Sequence, residues 1–132
     1  MSSFHKGSTK TTPEVKFENG VLELRGVSIP ENAVEFYRPL MSAITEYCGN
    51  PKPETTLNIY LYYFNTSSSK CLLGVFNAFE KVNKRMTKVK VNWYYDAHDE
   101  DFLDTAKDYQ DLVKIDFDFI PLAAEEDEEE RF

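Results

Sequence analysis

The stretch that decides the fold is residues 56–82, which read TLNIYLYYF-NTSSSK-CLLGVFNAFEKV. Its first nine residues are rich in β-branched and aromatic side chains and alternate in hydrophobicity, which predicts a central β-strand. The side chains expected on the buried face of that strand are Leu57, Ile59, Leu61 and Tyr63. From Leu72 onward apolar residues recur at spacings of three and four, which predicts a helix that ends near Met86. The sequence therefore predicts a buried strand that passes into a helix through four consecutive hydroxyl residues.

Similar patterns continue on both sides of this stretch. Two short alternating segments, around residues 15–17 and 22–24, flank Asn19-Gly20, the commonest signal for a tight hairpin. Helical spacing over residues 33–47 predicts a first helix, which should start after Ser28 and Pro30 and end at Gly49-Asn50-Pro51. Residues 89–95 predict a fourth strand, 102–113 a third helix and 115–119 a fifth strand. The predicted order is ββαβαβαβ.

Alternation in every strand determines the predicted architecture. A sheet covered by helices on both faces would have near-continuous apolar strands, so we expect an α/β fold of α+β character, with a five-stranded mixed sheet and helices on one face only. The opposite face should be open and polar, with Tyr60, Tyr62, Lys88 and Lys90 on it. The predicted organisation is a flexible lead at 1–13, a single domain at 14–121 and an acidic tail at 122–132.

Composition narrows the class of protein. A chain of 132 residues that is 42% hydrophobic can bury one core without disulfides, and its two cysteines, Cys48 and Cys71, lie in apolar helical patterns typical of a reduced compartment. No window suits a signal peptide or a membrane span, which predicts a cytoplasmic protein. The net charge of −8 disfavours nucleic acid and anionic membranes, so protein partners are expected.

The hydroxyl-rich segment 65–70 supports two interpretations. In the simpler one, Asn65 or Thr66 is the helix N-cap, and a Thr66 cap contributes about 1 kcal/mol. In the other, one of these hydroxyls is phosphorylated, which adds roughly −1.5 to −2 charge at a helix end that tolerates an anion. A phosphate-binding loop is disfavoured because the required glycines are absent.

An acidic segment before the third helix is the other cluster of titratable residues. Its residues are Asp96, His98, Asp99, Glu100 and Asp101. They lack the spacing of a calcium-binding loop, and acids are favoured at any helix start, so capping is preferred over metal binding. Because no nucleophile, base and orienting acid are arranged for catalysis, we predict no enzyme, no cofactor and no metal site.

Three segments carry a resemblance to a known family: 8–15, 22–33 and, above all, Tyr63-Phe64-Asn65-Thr66-Ser67-Ser68-Ser69-Lys70. They resemble the SiaC family of bacterial regulatory phosphoproteins, over residues from about 8 to about 119. The resemblance implies phosphorylation of Thr66 by a Ser/Thr protein kinase and its reversal by a PP2C-type phosphatase. It also implies that the unmodified form activates a diguanylate cyclase, with effects on cyclic di-GMP, aggregation and biofilm formation.

The arrangement is also similar to STAS-type anti-sigma-factor antagonists, which switch partners through a phosphorylated hydroxyl at a helix start. We expect the partner-binding surface to include exposed groups near Thr66, namely Asn65, Ser67, Ser68 and Lys70. Two alternatives stay open, which are a constitutive protein-interaction module and a small-molecule or nucleotide-binding domain.

Overall fold

The computed structural model describes residues 3–122, which form one mixed sheet of six strands with three helices. The strands are β1 (Phe4–Lys6), β2 (Glu14–Glu18), β3 (Val21–Ser28), β4 (Glu54–Phe64), β5 (Lys88–Asp96) and β6 (Asp116–Leu122). The helices are α1 (Ala33–Cys48), α2 (Thr66–Glu80) and α3 (Glu100–Leu112). Among the described residues, no helix is long and apolar enough to cross a membrane.

The strands follow one another across the sheet in chain order, β1 to β6. The first three strands pair antiparallel, whereas β3 to β6 pair in parallel and are connected by the three helices. Successive right-handed crossovers that step in one direction place their helices on the same face, and the buried side chains of every parallel strand lie on that face. The predicted mixed sheet and fold class are confirmed.

The prediction of five strands is wrong, because β1 adds a sixth. Phe4 pairs with Phe17 of β2, and the backbone N–H of Ile29 donates to the carbonyl of Thr11 at 2.8 Å, so part of the supposed flexible lead 1–13 joins the domain. A strand of three residues is too short to show an alternating pattern. At the other end, the tail predicted at 122–132 lies outside the described residues except for Leu122, which belongs to β6.

Helix α1 has the predicted bounds, whereas α2 ends earlier than predicted. Ser28 is the last residue of β3 and is fully buried, and α1 begins at Ala33, after the N-cap Asn32, whose side chain accepts from the Glu35 N–H at 3.1 Å. Helix α2 ends at Glu80 instead of near Met86, and a turn follows in which the Asn83 side chain accepts from the Val89 N–H at 2.9 Å. The end of α1 at Gly49 is as predicted.

An irregularity near the end of β4 also corrects the predicted faces. Gly26 of β3 pairs with Leu61, but the next residue pairs with Tyr63, so β4 carries one extra residue, Tyr62, at this point. Gly26 has a φ of 121°, a conformation that L side chains rarely adopt. The bulge reverses the alternation, so that Tyr63 is 56% exposed and Phe64 is buried, and the prediction that Tyr63 faces the core is wrong.

Two of the residues predicted for the open face, Tyr60 and Lys90, contact other side chains there. The Arg25 guanidinium lies 4.0 Å from the centre of the Tyr60 ring, which stacks on Tyr94 at 4.2 Å. Partial burial of Tyr60 raises its pKa to about 12. Lys90 forms an ion pair with Asp118 at 2.9 Å. The open face is therefore an ordered polar and aromatic surface.

Candidate functional site at the start of helix α2

The junction between β4 and α2 is capped by Asn65. This residue has extended backbone dihedrals, φ −86° and ψ 176°, and its Oδ1 accepts from the Ser68 N–H at 2.9 Å. Its carbonyl accepts from the Ser69 N–H at 2.9 Å. Of the two predicted cap candidates, Asn65 is thus the N-cap. Thr66 is the first helical residue, so its hydroxyl has no capping role.

The helical turn separates the four consecutive hydroxyls into two pairs. Thr66 and Ser67 are exposed, and neither hydroxyl is hydrogen bonded to any residue of the described range. Ser68 is fully buried and Ser69 is half-buried, and both are hydrogen bonded to distant residues. Of these four hydroxyls, those of Thr66 and Ser67 are therefore the ones open to another protein without rearrangement.

This sorting changes the list of predicted partner-binding residues. Ser67 and Lys70 are exposed and Asn65 is half-buried, which is compatible with contact. Ser68 was expected to be an exposed group and is not, because its side chain faces the end of β3. The prediction that Ser68 belongs to the partner-binding surface is wrong, and the residue has a structural role.

Ser68 belongs to a buried chain of hydroxyl groups. The Ser28 hydroxyl donates to Ser68 Oγ at 2.7 Å, and Ser28 Oγ lies 2.6 Å from Tyr37 Oη. Because Ser28 has a single hydroxyl proton, Tyr37 must be the donor to Ser28. Burial raises the pKa of Tyr37 to about 12, so this proton stays in place at physiological pH. The chain connects α1, β3 and the first turn of α2.

Ser69 is held from the other side by α3. The Tyr109 hydroxyl donates to the Ser69 carbonyl at 2.9 Å, so the 2.9 Å contact between the two side chains has Ser69 Oγ as its donor. Burial raises the pKa of Tyr109. Sequence reasoning missed Ser28, Tyr37 and Tyr109, and no local signal could have found the pairs Ser28–Ser68 and Ser69–Tyr109, which are 40 residues apart in the chain.

The start of α2 favours a negative group. The amide of Asn65 donates to the Ser28 carbonyl at 3.1 Å, but the described residues provide no acceptor for the amides of Thr66 and Ser67. The first turn contains no carboxylate, in contrast to those of α1 and α3. Lys70 is exposed one turn after Thr66, on the same side of the helix. Two amides without acceptors, the positive end of the helix dipole and a lysine one turn later thus favour negative charge at the start of α2.

The acidic segment before α3 caps the helix, as predicted. Asp99 is the N-cap of α3 and accepts from the Phe102 N–H at 3.0 Å, while Asp96 accepts from the His98 N–H at 2.9 Å. Within residues 3–122, no three His, Cys, Asp or Glu side chains are grouped as metal ligands. Both cysteines are free and half-buried, and burial raises the pKa of each thiol, which disfavours the reactive thiolate.

Together these features define a class of protein. A small α/β domain presents an unengaged hydroxyl at a helix start directly after a central strand, where the surroundings tolerate a phosphate. Residues 7–122 match the profile of the SiaC family of regulatory phosphoproteins, and the chain belongs to this family. It is a regulatory protein and not an enzyme, as predicted.

The chain is also similar to proteins from Pseudomonas aeruginosa. An uncharacterised protein of strain UCBPP-PA14 is 26% identical over 119 residues, which cover 89% of this chain and 94% of that protein. The crystal structure of apo-SiaC is similar at a TM-score of 0.84 with 24% identity, over 91% of this chain and 99% of that one.

A second similar structure is that of the diguanylate cyclase SiaD in complex with its activator SiaC, also from P. aeruginosa. The likeness has a TM-score of 0.85 with 23% identity, over 90% of this chain and 99% of that chain. At this identity the two solved structures establish a common fold.

Proposed function

We propose that this protein is a phosphorylation switch in which a Ser/Thr protein kinase modifies Thr66 and a PP2C-type phosphatase restores it. The observation that carries the proposal is that Thr66 is exposed at the first position of α2 and that its hydroxyl does not cap the helix. Membership of a family of regulatory phosphoproteins supports the assignment. Ser67 is the other accessible hydroxyl of this turn, and its equivalent exposure makes it the natural control.

The fold is suited to accept the modification without refolding. A phosphate on Thr66 would lie beside the two amides that lack acceptors, at the positive end of the helix dipole. Lys70 follows at position i+4, and an acidic group four residues before a lysine is the favourable order for a helical ion pair. The modification therefore acts on what the helix start can bind.

We infer that the partner controlled by this switch is a diguanylate cyclase, which the unmodified protein binds and activates. The support is the shared fold with SiaC, which is the activator of the cyclase SiaD in the P. aeruginosa complex. The binding surface would comprise Thr66, Ser67, Lys70 and the exposed part of Asn65. Tyr63, which the bulge turns outward near the end of β4, is an exposed aromatic group of the kind enriched in binding hot spots.

A dianion in the centre of this surface would have to be desolvated or would repel an acidic partner group, so phosphorylation should release the cyclase. The output would be lower cyclic di-GMP and weaker aggregation or biofilm formation. Because the proposed phosphorylation and cyclic dinucleotide synthesis both use cellular nucleoside triphosphates, we propose that the protein acts in the bacterial cytoplasm.

The test combines mass spectrometry with binding. The native protein should carry one phosphate on Thr66 in a fraction of molecules, and the purified unmodified form should bind the cyclase encoded by the same organism. Thr66→Asp should bind at least about tenfold more weakly, while Ser67→Asp should have a smaller effect because it lies outside the centre of the surface. Equal cyclase binding by the unmodified, phosphorylated and Thr66→Asp forms would instead indicate a constitutive interaction module.

A further inference from the structure

Two buried chains of hydroxyl groups begin at tyrosines of the same helix, α1. The first runs from Tyr37 to Ser28 and Ser68, as described above. The second lies at the opposite end of the parallel strands, near the start of β4, where Tyr47 Oη is 2.7 Å from Thr55 Oγ1. Thr55 Oγ1 is in turn 2.7 Å from Thr87 Oγ1. The two chains have the same composition, a tyrosine and two aliphatic hydroxyls, but only the first reaches α2.

Ser28 attaches the beginning of α2 to the sheet at two points. Its carbonyl accepts from the Asn65 N–H at 3.1 Å, and its hydroxyl donates to Ser68 Oγ at 2.7 Å. Ser28, Ser68 and Tyr37 are each no more than 1% exposed. Without these bonds the first turn of α2 would be held on this side only by its own cap, and the first turn of a helix frays easily.

We propose that Ser28 is a positioning residue for the Thr66 site: through Ser68, and supported by Tyr37, it holds the first turn of α2 in the conformation that the partner recognises. This inference rests on the proposed function, because it assumes that the partner recognises the ordered first turn of α2 around Thr66. Ser28 does not contact the partner. It acts by keeping the recognised conformation populated, and a fall in that population lowers apparent affinity in proportion.

The experiment compares Ser28→Ala with Thr55→Val, which removes the middle hydroxyl of the second chain. Both variants leave two buried hydroxyls without one partner, so their melting temperatures should fall by similar amounts. In Ser28→Ala, hydrogen exchange of the Ser68 and Ser69 amides should become about fivefold faster than in Thr55→Val, as expected for loss of one buried hydrogen bond. A milder pair, Tyr37→Phe and Tyr47→Phe, should show the same contrast if Ser28→Ala does not fold.

Binding gives the functional readout. The affinity of unmodified Ser28→Ala for the cyclase should fall by about twofold or more, measured well below the melting temperature, while Thr55→Val should bind as the wild type does. Restoring the hydroxyl with Ser28→Thr should recover the slow exchange and the affinity.

The inference is overturned if the Ser68 and Ser69 amides exchange hydrogen at equal rates in Ser28→Ala and Thr55→Val. It is also overturned if these amides exchange faster in Ser28→Ala but this variant binds the cyclase with unchanged affinity. The exchange measurement needs no partner. A wild-type chain that binds no cyclase would therefore refute the proposed function, while unchanged exchange in Ser28→Ala would refute the positioning role alone.

Discussion

If Asn65 is the cap and Thr66 is the switch, Asn65→Ala should lower stability, whereas Thr66→Ala should change signalling and leave stability nearly unchanged. Asn65 Oδ1 accepts the Ser68 N–H at 2.9 Å, whereas the Thr66 hydroxyl has no partner among the described residues. Asn65→Ala should therefore lower the free energy of unfolding by about 1 kcal/mol. Thr66→Ala removes no hydrogen bond and introduces a better helix former, so its unfolding free energy should stay within about 0.5 kcal/mol of the wild type.

The difference is large enough to measure by thermal and urea unfolding. For a domain of this size, about 1 kcal/mol corresponds to a fall in melting temperature of about 3–5 °C. Asn65→Ser keeps an oxygen in the capping position and should recover most of the loss, which separates the cap from a general effect of mutating this residue. The urea m-value should be unchanged in all three variants.

Signalling should show the reverse pattern. Thr66→Ala should abolish phosphorylation at this turn and remain bound to the cyclase, while the Asn65→Ser protein should still be modified on Thr66. A loss of about 1 kcal/mol in Thr66→Ala with none in Asn65→Ala would refute the cap assignment. Continued stoichiometric phosphorylation of the Thr66→Ala chain on Ser67 would refute the assignment of the acceptor.

Further predictions concern charge, pH and a glycine. Phosphorylation of Thr66 should raise the unfolding free energy by about 0.5–1 kcal/mol at low salt, and Lys70→Ala should remove part of this gain, as calorimetry at two salt concentrations would show. The raised pKa of Tyr37, about 12, means that its contribution to stability is present below pH 10 and is lost as the pH rises to 12. The loss should reach about 2–3 kcal/mol, and it should be missing from the urea unfolding of Tyr37→Phe. Gly20→Ala should cost more than about 1 kcal/mol, because φ is 79° and the new Cβ would lie 2.8 Å from a tyrosine hydroxyl oxygen. Gly74→Ala, whose Cβ meets nothing within 4 Å, is the matched control and should stabilise α2 in the same thermal melts.

The sequence by itself determined the features that depend on neighbouring residues. Alternation in the strands required one buried face, and this placed all three helices on the same side of the sheet. Asn19-Gly20 specified the hairpin, in which both residues adopt positive φ angles, 53° and 79°. The segment 65–70 likewise located the strand-to-helix junction and limited its cap to Asn65 or Thr66, because propensity and capping act within one turn of chain.

Only the tertiary structure decided the features that depend on residues distant in the chain. Strand β1 exists because β2 offers it an edge, and the outward turn of Tyr63 follows from a bulge against Gly26. The four hydroxyls of α2 are chemically alike in sequence, but Thr66 and Ser67 are exposed, whereas Ser68 and Ser69 are hydrogen bonded to Ser28 of β3 and Tyr109 of α3. Thr66 is accessible, while Ser68 is held by a serine 40 residues away. The apolar stripe that begins at Leu72 sets which side of α2 faces the core, but the partners that hold Ser68 and Ser69 come from β3 and α3, and no local pattern encodes those pairs.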